Sequence, residues 1–354
     1  MGIAKVSEKV SMFLPLSLSV LLGACSVEPE LIRFNGPIMG TQYNVTLACD
    51  TDKPLSYWQS LSVKAMERVN QSMSTYIPAS ELSQFNSYKG SDWQTVSSDL
   101  LAVVEIAQQV SVMTSGALDV TVAPLVDLWG FGPSRNKQLD AMPVPTQEQL
   151  RAVESYIGHR KIVLDKPQQR WQKKEPELMV DLSAVAKGYA VDLVAANLQE
   201  QGCNDFLVDI GGELKASGKN LQGKNWRIAI EKPQLGSNIQ EMLSLSNVGV
   251  ASSGDYRNFY WHKGKRLSHT IDPRSLRPVE HTLASVTVVH TDTAKADALA
   301  TAFMVMGDTA VDLAQKNGLA AYFIFRKQDS DQKGSELDYR IVTTKEFEKY
   351  QVRK

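Results

Sequence analysis

The feature that most constrains the fold is a long amphipathic segment, residues 181–201, that is followed almost at once by a strand pattern. Gly202 stands where a helix would end, and the apolar residues at helical spacing are Leu182, Val185, Tyr189, Leu193 and Ala196. Residues 206–210 then form an apolar strand pattern that runs into Gly211 and Gly212. A helix and a strand this close together predict a domain that contains both.

The same mixture of patterns continues through most of the chain. Apolar periodicity predicts further helices at residues 57–73, at residues 100–113, and in a segment that Asp292 caps and that ends at Met306. Alternating patterns predict strands at residues 41–48 and 283–289, and hairpins between residues 226 and 271. We therefore expect an α+β fold, with mixed sheets packed against helices, rather than a regularly alternating parallel sheet.

The N-terminus has the layout of an export signal. Lys5 and Lys9 precede an apolar stretch, residues 12–22, which is too short to span a bilayer. The stretch runs into Ala24 and Cys25, which resembles the lipobox at which bacteria lipidate the cysteine and cleave before it. Cysteine is rare in this chain, so we favour this interpretation over an ordinary signal peptide followed by a chance cysteine.

These patterns predict three parts of very different length. Residues 1–24 are a lipoprotein signal peptide, residues 25–35 are a tether that Cys25 anchors to lipid, and residues 36–350 are the folded domain. An acylated terminus would hold the protein at a membrane without crossing it. The folded domain is long enough to bury a substantial core.

Charge and cysteine content limit the classes of function. The 38 basic and 39 acidic residues nearly cancel, so the composition gives no electrostatic reason to expect nucleic acid as a partner. Besides Cys25, the chain contains Cys49 and Cys203, and an oxidising compartment would permit one bridge between them. The sequence does not place these two residues together, so their pairing stays open, and their spacing does not indicate a metal cluster.

Ordinary nucleotide-binding motifs are absent from the sequence. Gly212 and Gly218 are one residue too far apart for a phosphate loop, and Asn220 replaces the hydroxyl that would bind the metal. No glycine fingerprint for a dinucleotide opens a helix after a strand. Any nucleotide must therefore be held by another design.

Asp297 and Thr301 are the strongest local candidate for metal binding. They are four residues apart in a predicted helix, so a carboxylate and a hydroxyl share one helix face. Oxygen ligands of this kind suit Mg²⁺, which completes its octahedron with water and phosphate oxygens. Surface and capping residues often show the same spacing, so the pattern alone does not establish a metal site.

A series of short motifs resembles the ApbE family of flavin transferases, in the order in which that family has them. The similarity extends over about residues 36–325. The motifs are residues 39–41 (Met-Gly-Thr), 74–76 (Ser-Thr-Tyr) with 80–83 and Asn86, 116–121 (Gly-Ala-Leu-Asp-Val-Thr), 124–132, 181–190, 253–257, 269–273 (His-Thr-Ile-Asp-Pro) and 297–301. So many motifs in one order make coincidence improbable.

The resemblance implies one site that binds FAD together with Mg²⁺. By position it assigns to the flavin Met39, Tyr76, Ala117, Leu118, Asp119, Asp181, Lys187 and Ile271. Tyr76 can cover a flat ring, Lys187 can neutralise phosphate, and aspartates can accept hydrogen bonds from ribose or adenine. Each of these residues, taken alone, is also typical of core packing, turns or helix ends.

The resemblance also implies the metal ligands and the catalytic groups. Asp297 and Thr301 would bind Mg²⁺ by their side chains, and Ala184 by its main-chain carbonyl. His269 is the candidate base, and Arg257 would help to neutralise phosphate charge. The chain departs from the family at one point. Many relatives have asparagine after the paired glycines, where this chain has Glu213.

The function that the resemblance implies is Mg²⁺-dependent transfer of FMN from FAD to a threonine hydroxyl of an acceptor protein, with release of AMP. The acceptors would be flavin subunits of membrane redox complexes, and the protein would be anchored on the periplasmic side of a bacterial inner membrane. Two alternatives stay open at this point, an FAD pyrophosphatase and an FAD-binding lipoprotein without catalysis. A serine hydrolase that uses Ser252 or Ser253 is disfavoured, because no nucleophile-elbow glycines surround either residue.

Overall fold

The computed structural model describes residues 30–132, 144–234, 238–256, 259–262, 265–327 and 338–352. The predicted signal peptide, the lipidation site Cys25 and the predicted phosphate contact Arg257 lie outside the described residues. Within the described part of the chain, no helix combines the length and the hydropathy needed to cross a membrane.

In the described chain, strands and helices contain similar numbers of residues. The strands are β1 (Ile32–Ile38), β2 (Thr41–Leu47), β3 (Gln94–Thr95), β4 (Ile162–Asp165), β5 (Arg170–Lys173), β6 (Phe206–Ile210), β7 (Glu213–Ser217), β8 (Trp226–Glu231), β9 (Ile239–Leu245), β10 (Val248–Gly254), β11 (Phe259–His262), β12 (Lys265–Ser268), β13 (Ile271–Asp272), β14 (Arg277–Pro278), β15 (Leu283–His290), β16 (Ala320–Arg326) and β17 (Tyr339–Thr343). The helices are α1 (Leu55–Met73), α2 (Glu81–Ser87), α3 (Ser98–Met113), α4 (Ala123–Leu128), α5 (Gln147–Glu154), α6 (Ala186–Glu200), α7 (Thr293–Met306), α8 (Thr309–Lys316) and α9 (Lys345–Glu348).

An eight-stranded sheet forms the centre of the fold, in the order β1-β2-β6-β7-β10-β15-β16-β17. Every neighbouring pair in this sheet is antiparallel. The turn between β1 and β2 consists of Met39 and Gly40, with φ angles of 48° and 72°. Positive φ at both central residues is the geometry that fits a two-residue hairpin turn to the twist of its strands. Met39 is thereby placed at the tip of a rigid hairpin.

Both faces of this sheet are covered where β16 lies. Ala321, Phe323 and Phe325 point into the core that the helices cover, whereas Tyr322 and Ile324 point into a second core on the opposite face. The hairpin β8–β9 and helix α9 contribute to that second core. Because side chains alternate between the faces of a strand, a fully buried strand requires cover on both sides. On the helical side, α7 packs against β10 and β15 and contacts α3 and α6.

Most predicted elements are confirmed, but the long helix at residues 181–201 is wrong at its start. Helix α6 begins at Ala186, because the carboxylate of Asp181 accepts the backbone N–H of Ser183 at 2.8 Å and forms a turn there. The predicted apolar face is also wrong in part. Ala196 is exposed, and the buried residues are those that face α1, α7 and the sheet: Ala186, Gly188, Ala190, Val191, Val194, Ala195 and Leu198.

The structure also bears on the cysteine pair and on the start of the folded domain. Cys49 and Cys203, whose pairing the sequence left open, form a disulfide that joins the end of β2 to the segment before β6. At the N-terminus, β1 begins at Ile32, so the sheet includes residues that we assigned to the tether. The folded domain therefore includes residues from Ile32, whereas we predicted that it begins at residue 36.

Candidate functional site

Two cavities share one wall beside helix α6. The larger has a volume of about 480 Å³ and lies among α7, β10, the start of β7 and the segment that contains Ala117. The smaller, of about 430 Å³, lies between the β1–β2 turn and the loop after α1. Ser183 and Lys187 line both cavities. Together the cavities can accept a molecule with two separate ends and a charged centre.

Helix α7 supplies Asp297 and Thr301 to the larger cavity, one turn apart on the same face. Its first turn is fixed from two sides. The N-cap residue Asp292 accepts the Lys295 N–H at 2.9 Å, and Asp192 of α6 accepts the N–H groups of Thr293 and Ala294 at 2.7 and 3.0 Å. A carboxylate at a helix N-terminus also interacts favourably with the helix dipole.

Gly188 allows α6 and α7 to approach closely enough to form the candidate metal site. A Cβ atom at this position would lie 2.5 Å from the Thr293 carbonyl oxygen, so no other residue fits without a backbone shift. Gly188 lies in the first turn of α6, where backbone N–H groups have no partner within the helix, and its N–H donates to Asp297 Oδ2 at 3.1 Å. Ala184 lies two residues before α6, so its carbonyl is not used by the helical hydrogen bonds, which begin at Val185. Ala184, Asp297 and Thr301, the three predicted metal ligands, all line the larger cavity.

Lys187 lies between two buried carboxylates, which differs from the phosphate contact that we predicted for it. Its Nζ is 2.8 Å from Glu213 Oε1 and 3.9 Å from Asp297 Oδ2. Glu213 and Asp297 are only 4% and 3% exposed, so both are shielded from bulk water. Asp297 therefore does not face bulk solvent, because α7 is buried between the sheet and two other helices. Apart from Gly188 and Lys187, its carboxylate faces the larger cavity.

The three charges shift one another's proton affinity. Burial raises the pKa of Asp297, which Lys187 and the Gly188 N–H lower only in part. Burial and the charge of Asp297 raise the pKa of Glu213 to about 8, against the opposing effect of Lys187. Burial lowers the pKa of Lys187, but the two carboxylates outweigh this effect and leave the pKa raised. The single ammonium of Lys187 thus lies near two carboxylates, so the group of Lys187, Glu213 and Asp297 favours an additional positive charge.

The segment with Ala117, Leu118 and Asp119 lines the larger cavity, as the resemblance implies. The Asp119 carboxylate, however, is already occupied by the protein itself. It accepts the N–H and hydroxyl of Thr121 at 2.8 and 2.6 Å, and the backbone N–H of His159 at 2.7 Å. These hydrogen bonds give the Asp119 carboxylate a structural role, in which it shapes the backbone that faces the cavity, and its expected contact with a nucleotide stays a prediction.

Met39 and Tyr76 lie apart from most of the predicted flavin residues, in the smaller cavity. Tyr76 is 77% exposed and lies in a loop that its own motif holds in shape. The Ser80 and Ser83 hydroxyls donate to the Ser74 carbonyl at 2.6 and 3.1 Å. The ring of Tyr76 is consequently available to cover a planar ligand.

Asp181 and Ile271 line the larger cavity, with Asp181 placed by its neighbours. The Asp181 N–H donates to the Val120 carbonyl at 2.7 Å. Asn86 fixes the preceding residue, because its side chain both donates to the carbonyl and accepts the N–H of Val180 at 2.8 Å. The predicted polar contact of Asp181 with ligand competes with the turn that its carboxylate forms with Ser183.

His269 also lines the larger cavity, so the candidate base and the candidate metal ligands share one space. Its ring lies 6.3 Å from that of Phe131, in an edge-on arrangement. Two carboxylates that could have replaced it as base are engaged elsewhere. Asp255 pairs with Arg266 and Arg326, and Asp272 binds Arg274 through both of its oxygens at 2.8 Å.

Sequence reasoning missed several residues that shape the site. Ser253 lies beside Thr301, with 3.4 Å between their hydroxyl oxygens, and Asp192 fixes the start of α7. Glu213 was noticed only as a departure from the family. The only sequence signal for these residues was the identity of Glu213, a carboxylate directly after the paired glycines Gly211 and Gly212. Within the described residues, no group of three or more His, Cys, Asp or Glu side chains is arranged to hold a metal.

Comparison with known proteins decides the family, since the family model for ApbE matches residues 39–323. The chain belongs to the ApbE family. Its similarity to curated ApbE relatives extends over most of their length. A protein of Haemophilus influenzae named FAD:protein FMN transferase is 38% identical, over 96% of this chain and 100% of that protein. One of the same name from Vibrio cholerae is 40% identical, over 89% and 93%.

Solved ApbE structures have the same fold. The flavin transferase ApbE from Vibrio cholerae has a TM-score of 0.80 at 37% identity, and the comparison covers 91% of this chain and 99% of that one. The apo form of the flavinyl transferase ApbE from Pseudomonas stutzeri has a TM-score of 0.80 at 35% identity, covering 90% and 96%. These similarities confirm the predicted family and the α+β fold.

Proposed function

We propose that this ApbE family protein transfers FMN from FAD to a threonine hydroxyl of an acceptor protein and releases AMP. The observation that carries the proposal is that Ala184, Asp297, Thr301 and His269 all line one cavity. The names of the curated relatives support the same activity. The neighbouring cavity with Met39 and Tyr76 provides separate space for the second end of a dinucleotide.

The residues of the larger cavity fit Mg²⁺. Asp297 offers a carboxylate, Thr301 a hydroxyl and Ala184 the main-chain carbonyl of a residue that precedes α6. Oxygen donors in small number are what Mg²⁺ uses when phosphate and water complete its coordination. Bound there, Mg²⁺ would neutralise the pyrophosphate charge of FAD, which is worth several kcal/mol in the transition state.

The protein's own groups would position the reactants and move one proton. His269 takes the proton from the threonine hydroxyl, whose oxygen attacks the FMN-side phosphorus of FAD. The bond from this phosphorus to the bridging oxygen breaks, and AMP leaves with that oxygen. Such a displacement depends mainly on positioning and charge stabilisation, and a general base contributes about 10²–10⁴-fold.

For the location, we propose a lipid anchor at Cys25 that holds the domain on the periplasmic side of a bacterial inner membrane. The export-type N-terminus supports it, and the Cys49–Cys203 disulfide is typical of an oxidising compartment. Cys25→Ser should leave a protein that is soluble or that retains its signal. Membrane association of a processed Cys25→Ser protein would contradict the anchor.

The activity is tested by incubating the purified protein with FAD, Mg²⁺ and a flavin subunit of a membrane redox complex as acceptor. Mass spectrometry should find one FMN increment on an acceptor threonine, together with free AMP. Free FMN in place of modified acceptor would indicate an FAD pyrophosphatase. FAD that is bound and recovered intact would indicate a binding protein and would overturn the proposal.

A further inference from the structure

Glu213 differs from the other polar residues of the site, because one of its oxygens has no partner. Oε1 accepts from Lys187, whereas Oε2 is buried and has no hydrogen-bond partner within the described part of the chain. Glu213 is the first residue of β7 and follows Gly211 and Gly212, whose φ angles are 63° and 101°. This left-handed turn, which favours glycine, brings the carboxylate into the cavity wall.

The position of Lys187 depends on this carboxylate. The ammonium lies 2.8 Å from Glu213 but 3.9 Å from Asp297, so it is held closer to Glu213. Both carboxylates are buried, and at these distances in a poorly solvated cavity the attraction of either would be large. If Glu213 lost its charge, Asp297 would be left as the acidic partner of Lys187 at this wall.

We propose that Glu213 is a positioning residue that holds Lys187 away from Asp297 and so keeps Asp297 available to a divalent cation. This inference rests on the proposed function, in which Asp297 is a ligand to Mg²⁺. A lysine ammonium that contacts Asp297 would compete with the cation for the same oxygens. Glu213 acts through Lys187 and need not contact the cation or FAD.

The proposal predicts an unusual pattern of cation affinity in four proteins. At a pH above the Glu213 pKa of about 8, Glu213→Gln keeps the shape of the side chain and removes its charge. Mn²⁺ should then bind about 10- to 100-fold more weakly, which is the usual effect of losing a residue that orients a metal ligand. Lys187→Met should bind Mn²⁺ at least as tightly as the wild type. The double variant Glu213→Gln/Lys187→Met should recover most of the lost affinity, because the competing ammonium is gone.

The measurement is a titration of each protein with Mn²⁺ alone, in which electron paramagnetic resonance detects the free ion. Glu67→Gln, which removes an exposed carboxylate on α1 outside both cavities, serves as the matched control and should bind as the wild type does. Thermal unfolding of every variant identifies any loss of folded protein. FAD binding, followed by flavin fluorescence, should weaken in Lys187→Met and in the double variant.

Two outcomes would overturn the positioning role and leave the metal site intact. In the first, Asp297→Asn weakens Mn²⁺ binding while Glu213→Gln has no effect. In the second, Glu213→Gln weakens binding and the double variant does not recover, which would make Glu213 a ligand or a purely structural residue. Unchanged affinity in Asp297→Asn would instead remove the cation site itself, and the positioning role with it.

Discussion

Two buried ionic groups of this protein have opposite charge balances. At the candidate site, two carboxylates, Asp297 and Glu213, share the single cation of Lys187. Directly after strand β10, the single carboxylate of Asp255 is shared by two guanidinium groups, Arg266 and Arg326. The first group borders a cavity and lacks one positive charge, whereas Asp255 is 2% exposed and both of its oxygens are occupied.

The contrast shows which ionic group is suited to bind something and which to hold the fold. A buried charge without a full set of partners is costly, so an incomplete group is stabilised by a ligand of the missing sign. A carboxylate whose two oxygens are both occupied offers no free acceptor to a cation, and the group loses stability when that carboxylate is removed. We therefore expect substitutions at the first group to affect chemistry and substitutions at the second to affect folding.

The largest expected effect is on transfer, in Asp297→Asn. This change keeps the side-chain shape but removes the charge that would hold Mg²⁺, so the rate of FMN transfer should fall at least about 100-fold. The free energy of unfolding should stay the same or rise, because one of two carboxylates that compete for Lys187 becomes neutral. Asp312→Asn, at an exposed position on α8, is the control for both measurements. Transfer at the wild-type rate would refute the metal assignment.

The second prediction concerns the other ionic group. Asp255→Ala leaves Arg266 and Arg326 without their shared carboxylate, and the free energy of unfolding should fall by about 3–5 kcal/mol, measured by chemical denaturation. Asp338→Ala provides the comparison, because Asp338 pairs with Lys327 at an exposed position, where solvent screening leaves an ion pair little effect on stability. Equal losses in the two variants would contradict the proposed difference between the two ionic groups.

The third prediction separates the proton acceptor from the charged groups around it. His269→Ala should slow transfer by about 100-fold or more while FAD affinity changes only a few-fold, as for loss of a general base. Loss of FAD binding together with transfer would make His269 a ligand-positioning residue instead.

The smallest expected effect concerns another buried cation, Lys173, which contacts no carboxylate of the described residues within hydrogen-bonding distance. Its Nζ donates to the carbonyls of Phe85 and Leu178 at 3.1 and 3.2 Å, and burial lowers its pKa to about 8 from 10.5. Between these two values the unfolded chain holds more protons than the folded one, so stability should rise with pH. Relative to Lys173→Met, the wild type should gain unfolding free energy from about pH 8 to pH 10.5. An unchanged difference across this range would show that Lys173 is not buried as a cation.

The sequence predicted a structural element well where residues next to that element mark its start and its end. Helix α7 was predicted well because Asp292 caps its start and Gly307 ends it. The start of α6 was wrong because Asp181 forms a turn with Ser183 before the helix begins, and a polar residue before an apolar run is typical of both arrangements. Residues that are neighbours in sequence therefore predict the presence of a helix more reliably than the residue at which it begins.

Contacts between distant elements could not be predicted in the same way. The pair of Lys187 and Glu213 exists because β7 lies beside α6, and the close approach at Gly188 exists because α7 crosses the same helix. Family resemblance placed Asp297, Thr301, Ala184 and His269 in one site, and the structure brings all four to one cavity. It did not indicate that the Asp119 carboxylate would be occupied by Thr121.

The Cys49–Cys203 disulfide has a consequence for how the chain is assembled during synthesis. The two cysteines are 154 residues apart, and at translation rates of about 5–20 residues per second Cys203 emerges about 8–30 s after Cys49. During this interval β1 and β2 can pair as a local hairpin, but β2 still lacks its other neighbour, β6. A nascent chain that stops before residue 203 would therefore keep a lone thiol beside an open strand edge.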